Sequence, residues 1–343
     1  MSDLKGLACG IGSLPLTDAQ QAAELVLRFL PQIPFWPQLP KSCPGEGMLV
    51  QFSENLPGLK IKGKDLFFDD RNRENDLETF YDRFIGQDLE YFKISPDFAA
   101  GLYAFARRLE QADLSGVRFI KGQVTGPFTF CSGVTQGDGK TILHDEIIRQ
   151  AMVKGLAMKA LWQLEYFKPF GKPMIIFFDE PYLTGVGSAY TPVNREEVIA
   201  VYRELTDTLK SAGCLVGVHC CGNTDWSMLA ESGIDIINFD AFNFQERFVL
   251  YADSLHAFLK KNGIICWGVV PTQEFSPQQR PELLAQKLNF GLEALVKKGV
   301  SRQLLLERLL ISPACGLGTL SPQNGEGILS LLHQTSLYLR QNL

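Results

Sequence analysis

The sequence predicts an α/β fold, a (β/α)8 TIM barrel, built as a single domain over residues 1–343 with an insertion after the second strand. Eight short, apolar, β-rich runs recur along the 343-residue chain. Amphipathic stretches long enough for a helix lie between most of them. Such alternation is typical of a parallel sheet with helices packed outside it. The number of strands alone leaves a doubly wound sheet as the alternative.

The elements follow in chain order from hydrophobic periodicity and from residues that start or stop helices. The eight predicted strands cover residues 7–11, 33–36, 119–124, 174–178, 215–218, 234–239, 264–270 and 309–311. The predicted helices cover residues 18–29, 147–167, 194–212, 252–262, 281–298 and 325–339. Thr17 is the predicted N-cap of the first helix. Gly213 follows the third helix, where a glycine commonly ends one.

Residues 37–116 do not follow the strand–helix repeat. They contain the turn-rich stretch KSCPGEG, the charged run FFDDRNRENDLE and predicted helices at 76–84 and 98–112. Long connections in compact domains are often functional. The insertion is therefore either a decorated surface loop or a lid over the mouth of the barrel.

Composition excludes several classes of function. The chain has 33 basic and 38 acidic side chains, a formal charge of −5, and no Lys/Arg tract, which argues against a nucleic-acid partner. No apolar run approaches the roughly 18 residues of a membrane span, and the N-terminus lacks a signal-peptide pattern. The eight cysteines are dilute and are expected to be reduced thiols. We expect a cytoplasmic protein without a membrane partner.

Polar residues follow several of the predicted strands. Ser13, Asp179, His219, Asp240 and Cys315 all lie at or just beyond the carboxyl end of a strand. Barrel enzymes carry their chemistry at that end of the barrel. These residues are therefore the candidate functional set.

The sharpest local pattern is His219-Cys220-Cys221. Because side chains alternate along a strand, His219 and Cys221 share one face and Cys220 points the other way. An imidazole and a thiolate can share a zinc ion, and Cys315 after the last strand would supply a third ligand. Three protein ligands are the open, catalytic pattern of zinc. The alternative is that the cysteines fill the core and His219 is a polar cap.

A zinc ion that carries two thiolates suits one chemistry better than others. The sulfurs neutralise its charge, so it is suited to binding a third thiol, from substrate, and keeping it deprotonated. This favours alkyl transfer onto a thiol over hydrolysis. Asp179 could pair with a substrate ammonium, and Gly12-Ser13 could hold its carboxylate. Alternatively, Asp179-Glu180-Pro181 is only a helix cap.

The ordered motifs resemble the catalytic domain of cobalamin-independent methionine synthase. They are IGSLP (11–15), TGP (125–127), DEP (179–181), HCC (219–221) and PACGLGT (313–319). HCCGN also resembles a stretch of the zinc methyltransferases that act on coenzyme M, which belong with uroporphyrinogen decarboxylase to the same barrel superfamily. The resemblance extends over nearly the whole chain.

The resemblance implies a role for each matched residue. It implies zinc ligands at His219, Cys221 and Cys315, a homocysteine carboxylate contact at Ser13 and an amino-group contact at Asp179. Asp240 stands where the family has a glutamate ligand and is the candidate fourth ligand. Glu54 is the candidate for a second amino-binding carboxylate. Asp179 and His219 are the predicted catalytic residues.

The predicted function is therefore zinc-dependent methyl transfer to a thiol, with homocysteine converted to methionine. The alternatives are another thiol, such as coenzyme M, or an accessory protein in a corrinoid methyl-transfer system. A third alternative, a metal-free decarboxylase of the same superfamily, would need arginines near the N-terminus to hold porphyrin carboxylates. The only arginine before the charged run is Arg28, and its place inside a predicted helix argues against that alternative. The family has a second barrel that helps to hold the folate donor, and this sequence shows only one. We therefore expect a methylcorrinoid, carried by a corrinoid protein, in preference to a methylated folate.

Overall fold

The computed structural model describes residues 4–188 and 191–343. These residues form nine strands: β1 Leu7–Ala8, β2 Leu59–Lys62, β3 Asp65–Phe68, β4 Ile120–Thr125, β5 Met174–Asp179, β6 Leu215–Cys220, β7 Ile236–Phe239, β8 Ile264–Val270 and β9 Leu309–Pro313. Their α-helices are α1 Ala19–Phe29, α2 Arg73–Ile85, α3 Ala100–Leu109, α4 Pro127–Gly133, α5 Glu146–Phe167, α6 Arg195–Ser211, α7 Trp226–Glu231, α8 Ala241–Phe248, α9 Ala252–Lys260, α10 Pro281–Lys297, α11 Arg302–Glu307 and α12 Pro322–Asn342.

Seven strands form one curled parallel sheet in the order β1-β9-β8-β7-β6-β5-β4, and β2 pairs with β3 in a separate antiparallel hairpin. Every residue of β4, β5 and β8 is buried. Parallel strands covered on both faces are expected to be buried in this way. The α/β class and seven of the eight predicted strands are confirmed, and the curled sheet is consistent with a TIM-like barrel.

The predicted strand at residues 33–36 is wrong as a regular strand. The segment lies between β1 and β4, but it makes only isolated parallel bridges, from Phe35 to Lys121 and from Gln38 to Ser13. Pro34 and Pro37 have no backbone N–H group to donate. The ladder is interrupted at this position for that reason.

Side-chain hydrogen bonds hold the sheet together where the ladder is interrupted. Gln123 donates its amide to the Trp36 carbonyl (2.9 Å), and the Trp36 indole donates to Gln163 (2.8 Å). Gln163 donates back to the Gln123 carbonyl (3.1 Å). The fully buried Lys121 donates to the Ile11 carbonyl (2.5 Å). Buried polar groups that are all paired in this way specify one arrangement of the chain.

All six helices predicted outside the insertion are present, with small differences at their ends. The N-cap of α1 is Asp18 and not Thr17, because the Asp18 carboxylate accepts hydrogen bonds from the backbone N–H groups of Gln20 and Gln21. Gly213 follows α6 with φ +81°, and its N–H donates to the carbonyl of Lys210 in the last turn of the helix. The glycine therefore ends this helix, as predicted. The short helices α4, α7, α8 and α11 were not predicted, since six to eight residues hold too little periodicity.

The segment 37–116 contains the β2–β3 hairpin, α2 and α3. Helix α3 packs against α1, which precedes the interrupted strand, and so occupies the place of an ordinary barrel helix. The chain before α3 is the part that departs from the repeat. None of the helices within 4–188 and 191–343 combines the length and apolarity that crossing a bilayer would require.

Candidate metal centre

Three of the predicted metal ligands come together. One ligand atom each of His219, Cys221 and Cys315 lie within 4.8 Å of one another. His219 is near the end of β6, Cys221 follows that strand and Cys315 follows β9. Parallel strands end at the same edge of the sheet, so residues 94 positions apart in the chain can meet there.

The three residues open onto a cavity of about 420 Å³. Such a volume suits a small molecule. The cavity is lined by Ile11, Ser13, Gln38, Pro40, Glu46, Met48, Asp179, Pro181, His219, Cys221, Gln273, Cys315, Gly316, Gly318 and Thr319. The lining therefore includes the predicted substrate contacts Ser13 and Asp179 together with the three predicted metal ligands.

His219 is buried and has one ring nitrogen free. Its Nδ1 lies 2.5 Å from Oδ1 of Asn238, whereas its Nε2 is buried without a hydrogen-bond partner. A buried, unpaired polar atom is costly unless something outside the chain satisfies it. A metal ion bound between this nitrogen and the two neighbouring sulfurs would satisfy it.

The sulfurs of Cys221 and Cys315 lie close enough to interact directly. The hydrogen bond from Cys315, with a further contribution from His219, holds the pKa of the Cys221 thiol well below its usual range. The same pairing raises the pKa of Cys315. Cys220 points away from the centre, and burial raises the pKa of its thiol to about 12. The strand alternation thus places Cys221 and Cys220 on opposite sides of the strand, as predicted.

Asp179 and Glu180, at the end of β5, point in opposite directions because side chains alternate along a strand. Asp179 pairs with His219 in the register of β5 and β6, and its Oδ1 is buried without a partner. Burial raises the pKa of Asp179 to about 6. Glu180 instead accepts hydrogen bonds from Thr129 (2.8 Å) and Tyr202 (2.9 Å) and anchors the start of α4. Asp179 therefore faces the site, while Glu180 supports the scaffold.

Ser13 reaches the site through a close approach to the loop after β9. Its Oγ accepts a hydrogen bond from the Gly318 N–H (3.2 Å), and a Cβ atom on Gly316 would collide with it. The glycines that follow Cys315 allow this contact, so the loops after β1 and β9 form one wall of the cavity.

Glu54 does not line the cavity. Its carboxylate accepts a hydrogen bond from the Ser95 N–H (2.8 Å) and borders a separate surface groove. The carboxylate of the insertion that does line the cavity belongs to Glu46, which is 1% exposed and accepts hydrogen bonds from the Leu39 and Ala100 N–H groups. Little in the sequence pointed to Glu46, since it lies in the turn-rich stretch of the insertion.

Asp240 is not part of the group formed by the three ligands. Its two carboxylate oxygens accept hydrogen bonds from the backbone N–H (2.9 Å) and the side-chain amide (2.7 Å) of Asn243. The residue is the N-cap of α8. A side chain one methylene shorter than glutamate satisfies the helix end instead of reaching the other ligands.

We therefore expect Asp240→Ala to keep its metal. Losing an N-cap should lower the free energy of unfolding by about 1 kcal/mol. Urea unfolding together with metal analysis of the same sample measures both effects. Loss of zinc at full folding would instead identify Asp240 as a ligand.

The donor set fits zinc. One imidazole nitrogen and two sulfurs match the three-ligand sets of catalytic zinc sites, which leave a coordination position open. The His219 Nδ1 contact to Asn238 is the kind of outer hydrogen bond that orients a metal-binding histidine. The open side of the group faces the cavity, where a substrate would lie.

Comparison with known proteins supports the fold. No family model and no curated protein sequence matches the chain. Among solved structures, a B12-independent methionine synthase from Shewanella sp. W3-18-1, determined in complex with selenomethionine, superposes with a TM-score of 0.62 at 18% sequence identity. The match covers 98% of this chain and 98% of that one. The chain therefore shares its overall fold with that methionine synthase over nearly the whole of both chains.

Proposed function

We propose that the protein is a zinc-dependent methyltransferase that transfers a methyl group to a thiol, with homocysteine as the preferred acceptor. The observation that carries this proposal is the convergence of His219, Cys221 and Cys315 with the unpaired Asp179 carboxylate on one cavity. When bound, zinc would hold the substrate thiol as a thiolate at neutral pH. The fold shared with a methionine synthase supports the same reaction class.

The charge of the cavity supports an amino acid as the thiol. Asp179 and Glu46 line it, and none of its described lining residues is a lysine or an arginine. A sulfonate thiol such as coenzyme M would meet two carboxylates without a cation to bind it. Homocysteine has an ammonium that can pair with Asp179 and a carboxylate that can reach Ser13. The burial of Asp179 would strengthen this pairing, since opposite charges attract more strongly away from bulk water.

The same lining bears on the methyl donor. A folate polyglutamate tail is strongly anionic, and the described lining residues supply no cation for it. We therefore propose a methylcorrinoid, carried by a corrinoid protein at the cavity mouth, as the donor. In the transfer, the new bond joins sulfur to the methyl carbon, and the donor keeps the electron pair of the bond that breaks. Pro40 and Met48 of the insertion line this cavity and are exposed.

Side-by-side assays test the donor and the acceptor. The zinc-loaded protein is given homocysteine with methylcobalamin or with methyltetrahydrofolate polyglutamate, and methionine is measured. We expect methionine from methylcobalamin and little from the folate. Efficient use of the folate alone would refute the donor assignment. Failure with both donors, despite bound zinc, would favour another thiol, tested with coenzyme M, or an accessory role.

A further inference from the structure

Asn238 lies beside His219 in the interior of the sheet. The two residues are paired in the register of β6 and β7, and Asn238 is completely buried. Its Oδ1 is 2.5 Å from Nδ1 of His219. No motif singles out Asn238 in the sequence, and the proposed reaction does not use it.

The orientation of the Asn238 amide follows from its other contacts. Its Nδ2 lies 2.9 Å from the Cys266 carbonyl oxygen and 2.8 Å from Oγ of Ser312. A carbonyl oxygen only accepts hydrogen bonds, so the NH2 group must face it. Ser312 donates its own hydroxyl proton to the Pro313 carbonyl (2.9 Å), which leaves its oxygen free to accept from Asn238. Oδ1 of Asn238 therefore faces the histidine.

This orientation determines which nitrogen of His219 carries a proton. An amide oxygen can only accept, so Nδ1 must be the protonated nitrogen. The lone pair then belongs to Nε2, which is buried without a partner. We propose that Asn238 is a positioning residue that fixes this tautomer of His219 and so directs Nε2 toward the metal.

The same amide connects two of the ligand-bearing segments. Through Nδ2 it holds Ser312 on β9, three residues before Cys315, and through Oδ1 it holds His219 on β6. Removing the side chain would release the imidazole and loosen the segment that carries Cys315. The inference rests on the proposed function only for the identity of the metal, since the hydrogen bonds exist without it.

Nuclear magnetic resonance on the metal-loaded protein tests the assignment. The chain has four histidines, so 15N-histidine labelling gives few signals, and the spectrum of His219→Gln identifies that of His219. With 113Cd in place of zinc, we expect one-bond coupling to Nε2 and a slowly exchanging proton on Nδ1. Coupling to Nδ1 would overturn the proposal.

Three variants separate positioning from general support of the fold. In Asn238→Ala the slowly exchanging Nδ1 proton should disappear, and zinc affinity, measured by competition with a chelator, should fall about 10–100-fold. Ser312→Ala loses the contacts of the hydroxyl with Asn238 and with the Pro313 carbonyl, leaves the Asn238–His219 contact in place and should keep the proton. Asn238→Asp keeps an acceptor toward Nδ1 but loses the donor to Cys266 and Ser312, and it should also keep the proton. Loss of the proton in folded Asn238→Asp would contradict the proposal even if the alanine variant does not fold.

Unchanged zinc affinity in folded Asn238→Ala would also refute the positioning role. None of these measurements needs a methyl donor or a thiol, so a failure of the methyl-transfer proposal would leave them unaffected. A wild-type protein with the predicted Nδ1 proton that bound cadmium but transferred no methyl group would overturn the proposed function alone.

Discussion

Replacing either sulfur ligand should remove the metal and the activity together. Cys221→Ser and Cys315→Ser each leave two of the three ligands that lie within 4.8 Å of one another. Losing a direct ligand should cost more than the 10–100-fold in affinity that is typical of outer contacts. We expect zinc content, measured by mass spectrometry of the purified protein, to fall from about one ion per chain to near zero. Methyl transfer should fall with it.

Cys220→Ser is the matched control for these variants. Cys220 is the neighbour of a ligand in the chain, but it is buried on the opposite face of β6 and its Sγ donates to the Gly222 carbonyl. This variant should keep both zinc and activity, with at most a loss of stability. Equal zinc content in the three serine variants would contradict the ligand assignment.

Asp179→Asn should weaken homocysteine binding far more than the binding of a thiol that lacks an amino group. The Asp179 carboxylate is buried, and its Oδ1 has no partner within the chain. Removing one partner of a buried charge pair typically costs about 3–5 kcal/mol, and each 1.4 kcal/mol is roughly tenfold in affinity. We therefore expect a loss of about two to three and a half orders of magnitude for homocysteine. Calorimetric titration of the zinc-loaded protein measures it, with 4-mercaptobutyrate as the comparison thiol.

Glu54→Gln serves as the control for Asp179→Asn. Glu54 is a carboxylate that the sequence also suggested for the amino group, but it borders a separate surface groove. Its replacement should leave homocysteine affinity unchanged. If Asp179→Asn also binds homocysteine normally, Asp179 has no part in recognition of the ammonium.

The centre was predictable because much of its geometry is local. Alternation along a strand places His219 and Cys221 on one face and Cys220 on the other, and the structure has this arrangement. Likewise, strand ends collect at one edge of a parallel sheet, so Cys315 could be expected near the other two. The separate directions of Asp179 and Glu180 follow from the same period of two.

The predictions that missed concern contacts between distant segments. The loop that follows the prolines at 34 and 37 takes a path that brings Glu46 to the cavity and leaves Glu54 outside it. No local periodicity encodes the path of a long connection. The interruption of the predicted second strand also depends on where prolines meet neighbouring strands, although their lack of an N–H group was visible in the sequence.

By itself, the sequence determined the α/β class, seven of the sheet strands and the shared face of His219 and Cys221, because period-two alternation and helical periodicity are properties of short segments. Only the tertiary structure decided that Asp240 caps α8 and that Asn238 faces Nδ1 of His219. Both depend on how side chains from different elements satisfy one another's hydrogen bonds. Such pairings follow from the register between strands and from which donors are buried together, and no stretch of sequence contains that information alone.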